Sequence, residues 1–80
     1  MNLAITLERA GRVDEALTAY ASALEVYEGH MPTLEAMTRL RVKAGRVDDK
    51  TMSMLREIAL KGDSQRWREW AHAQVAKLTP

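Results

Sequence analysis

The pentapeptide Ala10-Gly11-Arg12-Val13-Asp14 returns unchanged as Ala44-Gly45-Arg46-Val47-Asp48, with Gly45 standing 34 residues after Gly11. In a chain of 80 residues such an identity points to an internal repeat. A repeat constrains architecture before local propensity does, because each copy must build the same supersecondary unit and bury its apolar face against the next.

The residues around each copy carry a helical period. Leu3, Ala4, Leu7 and Ala10 recur at three and four residues and run into Gly11, which predicts a first helix over 2–10. Asp14 is the expected cap of a second helix, with Glu15 adding favourable charge in the first turn and Val13 placed to staple onto Ala16 and Leu17. Ala16, Leu17, Tyr20, Ala23, Leu24 and Tyr27 then form one broad apolar face ending at Gly29, so this helix is expected over 14–28. A linker of about three residues forces the two helices into an antiparallel hairpin.

Pro32 suits the first turn of a third helix, whose face is Leu34, Met37, Leu40 and Ala44 and whose stop is Gly45. After Val47 and a cap at Asp48, the set Thr51, Met54, Leu55, Ile58 and Ala59 continues to Gly62 and predicts a helix over 48–61. Asp63 or Ser64 can cap a last helix, in which Trp67, Trp70, Ala71, Gln74, Val75 and Leu78 lie on one side up to Thr79 and Pro80. The expectation is an all-α domain of about five helices: a first unit over 1–30, a second over 31–63 and a terminal helix over 64–80.

Composition narrows the function classes. A hydrophobic fraction of 46% beside 29% charged residues belongs to a globular chain. No apolar run approaches the roughly 18 residues of a membrane span. Met1-Asn2-Leu3-Ala4 shows no basic stretch leading into an apolar core, so no leader and a cytoplasmic setting are expected. There is no cysteine, hence no disulfide framework and no thiolate metal site. A net charge of +1 gives no overall pull toward nucleic acid or an anionic membrane.

Helix–turn–helix units of 34 residues with the pattern W-x2-L-G-x2-Y…A-x3-F…P belong to the tetratricopeptide repeat, which this chain resembles. Leu3 and Ala4 stand at the Leu-Gly pair of the first unit, Leu7 at the tyrosine, Ala16 and Ala23 at the small positions, and Tyr20 at the aromatic. Glu28 holds the proline place, and the tryptophan place falls before Met1. In the second unit Leu34 stands at the tryptophan, Met37 and Thr38 at the Leu-Gly pair, Arg41 at the tyrosine, Lys50 at the alanine, Met54 at the aromatic and Gly62 at the proline. Ala71 and Val75 keep phase beyond it, whereas Trp67 is one residue out of step. Lys50 departs from the small residue required where helices approach closely, and predicts a looser second hairpin.

The resemblance implies hairpins stacked as a short right-handed superhelix, whose concave groove takes an extended or helical peptide. Its groove-facing places correspond to Ile5, Glu8, Arg9, Glu35, Arg39, Val42 and Lys43. Arg39 and Lys43, four apart on one helical face, could grip an acidic segment or a terminal carboxylate. The lysine and asparagine places of the carboxylate-clamp repeats are not reproduced, since Ile5 and Met1 occupy positions that need polar groups.

Catalysis has little support. His30 is expected in a surface loop, and His72 has Ala76 rather than a second ligand at i+4. Neither belongs to the three or four convergent ligands a metal needs. Gly11 and Gly45 act as helix stops rather than a phosphate loop, and Ser22, Ser53 and Ser64 have no histidine at a suggestive spacing. The expectation is a non-catalytic protein-interaction module without cofactor or metal, or else a structural segment of a larger repeat protein. Arg39, Arg41, Lys43 and Arg46 gather as a basic cluster, but Asp14, Glu15, Glu25 and Glu28 interrupt it as a nucleic-acid face. Trp67 and Trp70, beside Arg66 and Arg68, read as a hydrophobic cap on the last hairpin rather than as stacking platforms for bases. Leu3 and Leu7 have no preceding unit in this sequence to pack on, so the expectation is either a chain cut from a longer array or a bare end that meets a partner, with self-association through the first helix.

Overall fold

The two copies of the pentapeptide build the same backbone turn. At the first, the Arg12 N–H reaches the Leu7 carbonyl at 2.9 Å and the Gly11 N–H reaches Glu8 at 3.0 Å; at the second, Arg46 reaches Arg41 at 2.9 Å and Gly45 reaches Val42 at 3.1 Å. This pair of bonds needs a left-handed residue just past the helix, and Gly11 and Gly45 supply it with φ of 77° and 73°.

This computed structural model describes residues 2–79. They form five α-helices and no strand: α1 Asn2–Arg9, α2 Val13–Val26, α3 Met31–Lys43, α4 Asp49–Lys61 and α5 Gln65–Leu78. Each helix packs chiefly against its neighbours in the chain, α1 on α2, α2 on α3, α3 on α4 and α4 on α5. The radius of gyration is 12.0 Å, matching the value of about 12 Å for a compact chain of this length.

The pentapeptides diverge at their last two residues. Asp48 caps α4 as expected, its carboxylate accepting from the Thr51 N–H at 2.8 Å, while the Thr51 hydroxyl lies 2.9 Å from that carboxylate and 3.0 Å from the Arg46 carbonyl. Asp14 does not cap α2: the helix begins one residue earlier at Val13, and Arg12 occupies the cap position with no side-chain capping bond, its guanidinium donating instead to Glu15 at 2.8 Å. Leu17 stands where Thr51 stands in the second copy and brings no hydroxyl to the turn. Asp14 instead accepts from Arg46 of the other pentapeptide, so the two copies are tied directly to one another.

Small residues lie where helices come closest. Ala4, Ala16 and Ala71 are fully buried, with Tyr20, Leu55 and Ile58 filling the space between helices. Ala23 is only half-buried. A further expectation needs correction. α2 stops at Val26, which leaves Tyr27 outside the apolar face and exposed, its ring tilted against His30. Lys50 is exposed at the edge where α4 meets α2 and α3, beside Met37 and Met54, and the neighbouring Thr51 is buried. Ser64, not Asp63, caps α5, accepting from the Trp67 N–H at 3.2 Å. Among the described residues no helix is long and apolar enough to cross a membrane.

Candidate functional site

Arg39 of α3 is bound to Glu8 of α1 and lines a cleft with residues of α5, so one side chain links α1, α3 and α5. Glu8, on α1, accepts from the Tyr20 hydroxyl of α2 at 2.9 Å and from Arg39 Nη2 of α3 at 2.5 Å. Its side chain is 15% exposed, against 41% for Arg39, so the pair is half sheltered from solvent. Burial works to raise the Glu8 carboxyl, but the hydrogen bonds from Arg39 and Tyr20, with the positive charges of Arg39 and Lys43, outweigh it and hold it below its ordinary value. Tyr20 moves the other way, pushed up to about 12 by burial and then by the hydrogen bond and charge of Glu8.

Of the seven residues expected at the groove, Glu8, Arg39 and Lys43 therefore converge electrostatically. Ile5 and Val42 are half-buried beside them on the same helices, and Arg9 is exposed. Glu35 lies elsewhere. It is buried to 1% exposure, and its carboxylate accepts the Asp63 N–H at 2.8 Å, bracing the turn between α4 and α5. Burial raises its carboxyl; the Asp63 N–H opposes this, and the Asp63 charge adds to it. A group so enclosed supports the fold and is closed to a partner.

Arg39 also belongs to a second feature that sequence reasoning left aside. It lines a cleft of ≈ 480 Å³ with Ser64, Arg66, Trp67 and Trp70. The two indole rings stand 5.4 Å apart at 88°, edge against face. Both tryptophans are partly buried and pack against the hydrophobic core, as a cap on the last hairpin does, and their remaining surface lines the cleft. Arg68 turns away and donates to the Gly62 carbonyl at 2.8 Å, so it is occupied in holding the α4–α5 turn. The signal in the sequence was Trp67 and Trp70 three apart, a spacing that puts both on adjoining sides of one helix, but it shows nothing of Arg39 on α3 closing the wall opposite.

A third feature is apolar. A groove of ≈ 680 Å³ between α1 and α2 is lined by Leu3, Leu7, Ala19, Ala23, Val26 and Tyr27, with Asp14 and Glu15 at its rim. Leu3, Val26 and Tyr27 are 66%, 72% and 66% exposed there. His30 Nδ1 lies 2.7 Å from the Thr33 hydroxyl, a contact local to the start of α3 with Thr33 buried out of a substrate's reach. Among the described residues no three His, Asp or Glu side chains converge as a metal site would require.

Compared with protein-family models, with curated proteins and with solved structures, the chain matches none.

Proposed function

We propose that this chain is a tetratricopeptide-like, non-catalytic module that binds another polypeptide across the face of α1, α3 and α5. The observation that carries the reading is the continuity of that face: Arg39 is shared between the Glu8 ion pair on α1 and the tryptophan cleft on α5, so the first helix of each 34-residue unit contributes to one surface. The twin turns at Gly11 and Gly45 support the repeat phase it assumes. Lys43 leaves the surface positively charged beside the pair, which suits an acidic segment of a partner. Reversing both Arg39 and Lys43 to glutamate in the full chain is expected to weaken partner capture at least tenfold while far-ultraviolet circular dichroism stays helical. Unchanged capture defeats the reading.

A second reading rests on the exposed α1–α2 groove: the chain is a structural or oligomerisation segment that assembles with copies of itself. Leu3→Glu with Val26→Glu then abolishes assembly, while partner capture is indifferent to the Arg39 and Lys43 reversals.

A further inference from the structure

Building on the interaction reading, we propose that the cleft between α3 and α5 is a specific subsite for an acidic peptide segment, with one apolar side chain seated in the corner of Trp67 and Trp70 and a neighbouring carboxylate held by Arg66 and the free donors of Arg39. Two rings at 88° form a corner rather than a slot, so the space takes a single apolar side chain against two indole faces. The volume of ≈ 480 Å³ suits a side chain with its backbone and not a docked helix.

Charge selects the rest of the ligand. Arg39 uses Nη2 for Glu8 and keeps further N–H donors in a side chain 41% exposed. Arg66 is exposed on the rim, and among the described residues no ion pair involves Arg66 or Lys43. The nearest acid on α5, Glu69, accepts from Gln65 at 2.8 Å. Two guanidinium groups on the wall repel a cationic ligand and favour a carboxylate, which one guanidinium can grip through two parallel N–H donors. A single-stranded nucleic acid would also bring negative charge, but successive bases stack on successive ring faces. The edge-to-face pair offers no such succession.

These are the only two tryptophans in the chain, so tryptophan emission, excited selectively over Tyr20 and Tyr27, reports on this cleft. The full chain is titrated with a capped peptide of alternating glutamate and leucine, with its lysine and leucine counterpart, and with polyuridylate. The acidic peptide is expected to shift the emission saturably, and Arg66→Glu to weaken that binding at least tenfold. Arg66→Gln, which removes the charge without reversing it, weakens it by a smaller factor. Trp70→Ala leaves Trp67 as reporter and also loses the saturable change. An equal response to the basic peptide, a response to polyuridylate alone, or no saturable response to the acidic peptide up to millimolar concentration overturns the proposal. A silent titration beside partner capture that still needs Arg39 and Lys43 removes the subsite and leaves the interaction reading standing. Capture indifferent to Arg39 and Lys43 removes that reading, while a saturable titration still establishes the cleft as a site.

Discussion

Glu8 and Glu35 are both carboxylates drawn out of water, and they titrate in opposite senses because only one meets cations. Glu8 faces Arg39, Lys43 and the Tyr20 hydroxyl and is lowered, so its stabilisation is present above the ordinary carboxyl range and lost as pH falls through its folded value. Glu35 meets a single N–H and is raised by burial, so its folded form is favoured when protonated, and that favour is lost as pH rises through its folded value. Glu35→Gln keeps an acceptor for the Asp63 N–H and removes the buried charge. The variant is expected to be more stable than the parent at neutral pH, with the difference shrinking as pH falls through the carboxyl range; urea denaturation across pH 3–7 measures it. A gap that widened on acidification would contradict the assignment. Nothing in the residue type could have disclosed this role for Glu35, because its partner is a backbone N–H, which every residue but proline possesses.

At the scale of the helices, the ends decide more than the middles. Ser64→Ala removes the acceptor for the Trp67 N–H and should cost about 1 kcal/mol. Gly62→Ala should cost more, about 1–3 kcal/mol toward the upper end, because its Cβ would stand 2.7 Å from the Ile58 carbonyl oxygen and 3.1 Å from the Arg68 side chain. Thermal unfolding ranks the two; an alanine at 62 that cost less than the one at 64 would mean the turn relaxes freely. The caps at Asp48 and Ser64 and the stops at Gly11 and Gly45 were legible in the sequence, since each residue does its own local chemistry there. The start of α2 was not. Asp14 has the composition of a cap, but its carboxylate is claimed by Arg46, a partner 32 residues away that no local pattern announces. The aromatic cleft was hidden for a related reason: tryptophans at helical spacing look alike whether their outer side meets solvent or a facing arginine.

Across the whole molecule, charge is segregated. Residues 1–30 carry five carboxylates against two arginines, and the remaining fifty carry ten cations against six carboxylates. The acidic end bears the exposed groove of Leu3, Val26 and Tyr27, so the best-matched occupant of that groove among copies of this chain is the basic end of another, a head-to-tail contact. Sedimentation is expected to show association that weakens between low and high salt and vanishes in Leu3→Glu with Val26→Glu; a monomer at high concentration with α1 ordered defeats it. One further consequence concerns force. With each helix gripping mainly its chain neighbours, tension applied at the two ends would load those contacts in series before it reached the core they share. Three ties cross that order, Glu8 to Arg39, Asp14 to Arg46 and Glu35 to the Asp63 N–H. Each joins a helix to an element beyond its neighbour or to the far side of a turn, and these are the points at which a molecule stretched end to end would hesitate.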